Sequence, residues 1–272
     1  MSPRNYYPAQ SAALAGVTWK SSELVDIESL QVDFRYQRKP SERKIVTIAK
    51  AFDTIACGAI DVSRRPDGSL WVMDGNHRTE AARRVGVKRI RALVYGGLTL
   101  QEEAALFSLK NSSAAPACAK ARFKADLMAG DPEAHAIEVL AQAAGLALDF
   151  SGSKRNDAIE CFGALKMLYR LCGADALARA LRLSVATWPN DHRGRDSMTV
   201  SGLTYLVKKY GDQFSDSDFI AKLAETLLVL LRQKASAIMM ETRDSGERCF
   251  CIALKHAYNF RRRTNVIREV AP

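Results

Sequence analysis

A five-residue stretch, Asp74-Gly75-Asn76-His77-Arg78, combines residue types that bind anions at the start of a helix. The first turn of a helix has backbone N–H groups without partners, and the helix dipole favours negative charge there. His77 adds a titratable donor, and Arg78 adds a charged fork of donors that suits phosphate oxygens. Gly75 lets the backbone approach a ligand closely, while Asp74 can orient a neighbouring side chain or help to hold a metal. The alternative is an ordinary hairpin end that carries a surface arginine and histidine.

The elements around this stretch must place it between a strand and a helix. Alternating residues in AIDVSRRPDGSLWVMDG predict two strands joined at Pro66-Asp67-Gly68, which has hairpin turn chemistry. A helix is predicted from Arg78 to Val85, and the strand IRALVY follows it. Upstream, Pro40 and Ser41 predict the start of another helix, and residues 24–27 predict a short strand.

The remainder of the chain is predicted to be mostly helical. Thr99 is the expected N-cap of a helix over LQEEAALFSLKN. Further segments have apolar residues at spacings of three and four, and they are ARFKADLMAG, DPEAHAIEVLAQAAG, NDAIECFGALKMLYRLCG, GADALARALRLSVATW, TVSGLTYLVKKYG, SDSDFIAKLAETLLVLLRQKAS and CFCIALKHAYNF. The predicted fold class is therefore α+β. An arm over residues 1–20 precedes a small β/α domain over residues 21–117, and a mostly α-helical domain covers residues 118–272.

The composition points to an anionic partner. The 272 residues include 47% apolar side chains, and 40 Lys+Arg against 30 Asp+Glu give a net charge of +10. Nucleic acid is one such partner, and a surface that only maintains solubility is the alternative. Six scattered cysteines without CxxC spacing indicate reduced thiols, and Cys249, Cys251 and His256 lack a fourth ligand with zinc spacing. With no long apolar run, we expect a cytoplasmic protein without a membrane partner.

The order and spacing of these motifs resemble the ParB/sulfiredoxin superfamily over roughly residues 24–115. Tyr36-Gln37-Arg38 matches a Gln/Arg motif that precedes a helix, and Gly75 to Arg78 match the G-x-x-R phosphate-binding segment. The resemblance implies a ParB-like β/α domain that binds CTP or ATP with Mg²⁺. It also implies a site in which Asp74, Gly75, Asn76, His77 and Arg78 hold triphosphate, Gln37 and Arg38 close on it, and Asn111 assists the metal.

The chain departs from the superfamily at two positions. Sulfiredoxins are similar in their G-G-C-H-R turn, but Asn76 stands where their nucleophilic cysteine lies. We therefore expect no sulfiredoxin activity, because an amide cannot replace a thiolate. Partition proteins have a later Glu-Asn-x-x-Arg segment, which is similar to Lys110-Asn111 here with lysine in place of the acid. That change leaves nucleotide hydrolysis open. Glu102 and Glu103 are either substitutes for the acid or a solvated helix face.

A free-serine kinase branch of the superfamily has a D-G-H-H-R turn that Asp74 to Arg78 also resemble. A kinase needs a carboxylate base near the acceptor hydroxyl. The candidates for that base are Asp33, Glu42 and Asp74.

Clusters of basic residues are predicted to contact DNA. In the first domain the candidates are Arg83, Arg84, Lys88 and Arg89, and in the helical domain they are Lys255, Arg261, Arg262 and Arg263. Tyr258 or Phe260 could stack on an unpaired base. The alternatives are a solvated helix face and a partly buried helix end. The segment AIEVLAQAAGLALDF is a weak match to a helix-turn-helix, and a packed helical pair is favoured there.

These predictions combine into a nucleotide-responsive, DNA-associated ParB-like protein of a phage or plasmid. A superfamily enzyme that uses ATP, either a small-molecule kinase or a nuclease, is an alternative. Another is a protein-binding accessory factor that regulates the DNA-processing enzyme of a mobile element.

Overall fold

The computed structural model describes residues 14, 17, 21–113 and 118–269. The arm predicted for residues 1–20 lies outside the described residues, apart from Leu14 and Val17. The chain divides into two compact units, Met1–Pro132 and Glu133–Pro272. This division falls later than the predicted 117/118 boundary because a helix over Ala119–Met128 packs its small apolar side chains into the core of the first unit.

The first unit contains a five-stranded mixed sheet. Its strands are β1 (Ser21–Asp26), β2 (Leu30–Gln31), β3 (Ile60–Arg64), β4 (Leu70–Asp74) and β5 (Arg89–Gly96), in the spatial order β1-β5-β3-β4-β2. β1 and β5 are antiparallel, as are β3 and β4, whereas β3 is parallel to β5 and β2 is parallel to β4. β3 and β4 form the hairpin that Pro66-Asp67-Gly68 predicts. The edge strand β2 was not predicted.

Both faces of this sheet are covered. The helices are α1 (Glu42–Lys50), α2 (Asn76–Arg84), α3 (Leu100–Ser113) and α4 (Ala119–Met128). Because side chains alternate along a strand, Val62 and Val94 pack on one face with Ala82 of α2. On the opposite face, Met73 and Tyr95 pack with Leu106 of α3. The sheet therefore holds the starts of α1 and α2 and the end of α3 in fixed positions.

The second unit is mostly helical. Its helices are α5 (Pro132–Ala143), α6 (Phe162–Cys172), α7 (Ala174–Thr187), α8 (Ser197–Tyr210), α9 (Asp216–Leu223), α10 (Leu228–Thr242) and α11 (Gly246–Asn259). α8 packs against α6, α7 and α11. A Cβ on Gly202 of α8 would lie 2.6 Å from Cδ1 of Phe250 on α11, so glycine permits this close approach. The predicted fold class, a mixed α/β unit followed by a helical one, is confirmed.

Three local predictions in the second unit were wrong. The single helix predicted over 215–236 is divided between Leu223 and Leu228 into α9 and α10. The pairs Ala147–Leu148 (β6) and Ala158–Ile159 (β7) form a short parallel ladder where helix was predicted. β6 begins two residues after Gly145, so this segment is neither a helix-turn-helix nor a helical pair. None of the described helices is long and apolar enough to span a membrane.

Candidate functional site

A pocket of about 350 Å³ opens beside the start of α2 in the first unit. Its volume lies in the range of small-ligand sites. Helices α1, α2 and α3, the end of β4 and the segment before α1 supply its walls. The lining residues are Gln37, Arg38, Lys44, Ile48, Met73, Asp74, Gly75, Asn76, His77, Arg78, Phe107, Lys110 and Asn111.

The residues that begin α2 line this pocket, and the chain turns from β4 into α2 without a side-chain cap. Gly75 makes the turn with a left-handed φ of 98°. A Cβ there would lie 2.5 Å from Cγ2 of Ile60, so a larger residue would displace the start of the helix. As the first residues of α2, Asn76, His77 and Arg78 have no carbonyl of the same helix to accept their N–H groups. An anion would satisfy these donors and interact favourably with the helix dipole.

The pocket lining is positively charged. Arg38, Lys44, Arg78 and Lys110 carry positive charge, and Asp74 is the one carboxylate among the described lining residues. Arg38 and Lys44 are exposed, and neither forms an ion pair within the described part of the chain. Arg38 has one side-chain partner among the described residues, the thiol of Cys118, to which its Nη1 donates at 3.5 Å. Two exposed cations beside the first turn of α2 form an arrangement that suits phosphate oxygens.

His77 links the starts of the two helices at the mouth of the pocket. Its Nε2 accepts a hydrogen bond of 3.0 Å from the backbone N–H of Ser41, the N-cap residue of α1. Burial lowers the pKa of His77, and the positive charges of Lys44 and Arg38 lower it further. His77 is therefore a neutral hydrogen-bond acceptor at neutral pH. The same two cations that disfavour its proton would attract an anion into the pocket.

Arg78 points away from the role that the sequence predicts for it. Its Nη1 donates to the carbonyl oxygens of Cys57 and Ala59 at 3.1 and 2.9 Å. Its Nη2 pairs with Asp74 at 3.1 Å. The guanidinium thus ties the loop before β3 to the start of α2. These contacts are structural and leave the Arg78 guanidinium engaged, whereas Lys44 forms no ion pair within the described part of the chain.

Two amides predicted to contact nucleotide are buried. Gln37 is 4% exposed, and its Nε2 donates to the carbonyl of Val72 on β4. Asn76 is 8% exposed, and its Oδ1 has no hydrogen-bond partner among the described residues. An unpaired buried acceptor lowers stability. Gln37 therefore anchors the segment before α1, whereas Asn76 destabilises the first turn of α2. Their contact with nucleotide stays a prediction.

The pocket does not fit a protein-held magnesium ion. Mg²⁺ sites use one or two carboxylates together with substrate phosphates. Asp74 is already paired with Arg78, and Asn111 donates its Nδ2 to the carbonyl of Phe107 at 2.8 Å. No group of three or more His, Cys, Asp or Glu side chains suited to a metal occurs among the described residues. The metal role predicted for Asn111 has no support from this donor set.

Lys110, where partition proteins have an acid, belongs to a half-buried ion pair. Its Nζ lies 2.6 Å from Oδ1 of Asp61, which also accepts a 3.0 Å hydrogen bond from the hydroxyl of Tyr95. Burial opposes the charged ammonium, but the hydrogen bond and charge of Asp61 raise the pKa of Lys110 above its usual value. No motif in the sequence predicts a ligand role for Lys110 or Lys44. They reach the same pocket because α1 packs on α2 and α3 packs on β4.

The other candidate acids are engaged elsewhere. Glu102 forms a capping box with Thr99, accepting from its N–H at 2.7 Å, so it serves the start of α3. Glu103 is fully buried and pairs with Arg65. Asp33 pairs with Arg65 and Arg35, and hydrogen bonds from these two arginines hold its pKa well below its usual range. Glu102 and Glu103 are therefore neither substitutes for the missing acid nor a solvated face.

Asp33 and Glu42 also lie outside the pocket lining. Glu42 pairs with Arg84 at 2.5 Å on the surface. Of the three candidate kinase bases, Asp74 alone lines the pocket. Its carboxylate is already paired with Arg78.

The DNA candidates of the first unit have different environments. Arg83 pairs with Glu80 and donates to the carbonyl of Ile27 at 3.0 Å. Arg84 pairs with Glu42. Lys88 and Arg89 are exposed, and within the described chain neither pairs with a carboxylate. Lys88 and Arg89 are thus the two candidates here whose charge is available to a phosphate.

The candidates of the second unit divide in the same way. Lys255 has 11% of its side chain exposed and pairs with Glu269, whose pKa it lowers to about 2 together with the Tyr210 hydroxyl. Arg262 lies over the ring of Tyr258 at 4.1 Å. Both have structural contacts. Arg261 and Arg263 are exposed.

Comparisons with known proteins match the sequence to one family model and the structure to two crystal structures. The model of a family of unknown function, DUF6551, matches residues 33–268. The C-terminally truncated chromosome-partitioning protein ParB from Caulobacter crescentus is similar in two crystal structures. Its complex with CTP-γ-S has 18% identity and a TM-score of 0.32, covering 60% of this chain and 99% of that one. Its complex with the centromeric parS site has 17% identity and a TM-score of 0.29, covering 86% and 99%. No curated protein matches the sequence.

Proposed function

The chain belongs to the family of unknown function DUF6551, and we propose that its first unit binds the phosphate groups of a nucleotide, CTP or ATP. One observation carries this proposal. The uncapped start of α2 lines the same pocket as Arg38 and Lys44, two cations that form no ion pair within the described chain. Asp74 is the one carboxylate among the described lining residues and is already paired. Backbone donors, helix dipole and flexible cations together select a polyanion over a neutral ligand.

The contacts divide between helix and side chains. The N–H groups of residues 76–78 hold one phosphate group, and Lys44 and Arg38 reach the charge beyond it. Lys110 remains with Asp61 and adds positive potential from the α3 side. Arg78 stabilises the turn through its hydrogen bonds to the carbonyls of Cys57 and Ala59.

Binding without turnover fits this lining best. Phosphoryl transfer requires a positioned base and usually a metal ion that bridges phosphates. Asp74 is paired with Arg78, and the described residues offer no metal cluster. We therefore propose that the nucleotide acts as a ligand that changes the state of the protein. We also propose that the protein associates with DNA through exposed cations such as Lys88 and Arg89. A phage or plasmid origin is the second part of this proposal. The motif resemblance to ParB-like proteins supports it.

The test is calorimetric titration of the full chain with CTP, ATP and their non-hydrolysable analogues, with and without Mg²⁺. We expect one site, with affinity lowered about tenfold by Lys44→Ala or Arg38→Ala because each loses a charge-assisted contact of ~1.5 kcal/mol. The matched control is Lys50→Ala, on the same helix but outside the lining. An absence of heat with every nucleotide would overturn the proposal and favour a protein-binding accessory factor.

DNA association has its own test. Retention of duplex DNA should weaken steeply as salt rises, because phosphate contacts release counterions. Lys88→Ala and Arg89→Ala together should lower the salt slope by about 2. A slope unchanged by both substitutions would remove DNA contact from this surface.

A further inference from the structure

A closed loop follows the last helix of the second unit. The side chain of Asn259 bonds Ile267 twice: its Nδ2 donates to the Ile267 carbonyl and its Oδ1 accepts the Ile267 N–H, both at 2.8 Å. Ile267 is 2% exposed, so it anchors the far end of the loop in the core. Residues 260–266, here named the C-terminal loop, are thereby held at both ends.

One arginine of this loop points inward. Nη1 of Arg262 donates to the hydroxyl of Tyr258 at 2.6 Å and to the carbonyl of Asn265 at 3.3 Å. Its guanidinium also covers the Tyr258 ring and lies 3.8 Å from Asp218. Arg262 therefore supports the loop from beneath, and its charge is used internally.

The residues on either side of Arg262 point outward. Phe260 follows the end of α11 directly, and 59% of it is exposed. Nζ of Lys222 lies 6.0 Å from its ring centroid, and Cζ of Arg261 lies 5.1 Å from it. Arg263 is exposed on the same loop. Within the described chain, Lys222, Arg261 and Arg263 form no ion pair.

The backbone of the C-terminal loop is strained at Arg261. Arg261 and Asn265 both have left-handed conformations, with φ of 58° and 52°. Asparagine tolerates this region and glycine adopts it most readily, whereas long side chains adopt it less often, although Lys154 and Arg243 also do so in this chain. A position that would be more stable as glycine thus carries an exposed guanidinium beside an exposed ring.

We infer that the C-terminal loop binds single-stranded nucleic acid. An unpaired base stacks on the exposed ring of Phe260, and the flanking phosphates contact Lys222, Arg261 and Arg263. The exposed ring favours a single strand over a duplex, because paired bases are already stacked and offer only their phosphates to a surface of this type. This site belongs to the second unit and uses no residue of the nucleotide pocket.

Fluorescence anisotropy of a labelled thymidine 12-mer with the full chain tests the inference. We expect Phe260→Ala to lower single-strand affinity about tenfold, the usual effect of losing one stacked base. A duplex of the same length should bind more weakly and respond little to Phe260→Ala. Equal single-strand affinity in both proteins would overturn the inference. So would binding to anionic phospholipid vesicles in the absence of oligonucleotide binding, because the loop would then be a membrane contact.

A matched pair of substitutions separates strain from function. Arg261→Gly and Asn265→Gly both relieve a left-handed residue, so neither should lower Tm. Only Arg261→Gly removes a cation, and it should reduce single-strand affinity severalfold, whereas Asn265→Gly should leave it unchanged. Unaltered affinity in Arg261→Gly would contradict the inference. Nucleotide titration of the same variants should match the original chain, so failure of this site and failure of the pocket are distinguishable.

Discussion

Replacing Arg78 with alanine should lower the stability of the first unit more than it lowers nucleotide affinity. The guanidinium makes two hydrogen bonds to carbonyls, at Cys57 and Ala59, and one ion pair with Asp74. Charge-assisted hydrogen bonds contribute about 1.5–3 kcal/mol each. We take the lower end, because 27% of the Arg78 side chain is exposed. The ion pair adds at most ~1 kcal/mol, since 40% of the Asp74 side chain is exposed.

The total loss is about 3 kcal/mol, which corresponds to a fall of roughly 10 °C or more in Tm for a domain of this size. Lysine should not restore it, because one ammonium group cannot reach two carbonyls and a carboxylate in the geometry of the guanidinium fork. Differential scanning calorimetry of the original chain, Arg78→Ala and Arg78→Lys measures this directly. Below the transition, nucleotide affinity should fall less in Arg78→Ala than in Lys44→Ala.

The opposite pattern would refute the reasoning. If Arg78→Ala changed Tm by less than about 2 °C yet abolished nucleotide binding, Arg78 would be a phosphate ligand. The contacts seen here would then belong to a state without ligand.

Other substitutions test neighbouring parts of the account. Gly75→Ala should lower the free energy of unfolding by more than ~2 kcal/mol, because the added Cβ would clash with Ile60 of β3. Gly68 also has a positive φ but has open space around it, so Gly68→Ala is the control and should lower this free energy by only ~1 kcal/mol. Denaturant titration measures both. The pKa of His77 in the folded protein lies below its ordinary value of 6.5. Its contribution to stability is therefore present above about pH 6.5 and is lost as the pH falls through that value towards the folded-state pKa. His77→Gln should make the unfolding free energy, measured by urea titration, depend less on pH across this range. Glu103→Gln breaks the buried pair with Arg65 and should lower unfolding free energy by about 3 kcal/mol, and a change within ~0.5 kcal/mol would contradict that pairing.

Local chemistry in the sequence predicted the elements that position the site. The Pro66-Asp67-Gly68 turn predicted the β3–β4 hairpin because each of its residues favours a turn conformation independently of the rest of the fold. Thr99 and Glu102 predicted the start of α3 for the same reason, and the structure contains the reciprocal hydrogen bonds between them.

Long-range contacts account for what the sequence did not reveal. The apolar spacing continues through residues 224–227, so a single helix was predicted. The structure divides it where the indole N–H of Trp188 donates to the carbonyl of Thr226 at 3.0 Å. Arg78 is a similar case, because the carbonyls that bind it lie about twenty residues earlier and no local pattern predicts them. Lys44 and Lys110 line one pocket only after α1 packs on α2 and α3 packs on β4.

The most direct test follows the backbone amide resonances of the first turn of α2 while CTP or ATP is added to isotope-labelled protein. We expect the N–H signals of Asn76, His77 and Arg78 to shift together and saturate at one equivalent, since phosphate oxygens become their acceptors. Lys44→Ala should move the same titration to higher concentration. Shifts confined to other residues, or none at saturating nucleotide, would contradict the claim that this turn holds phosphate.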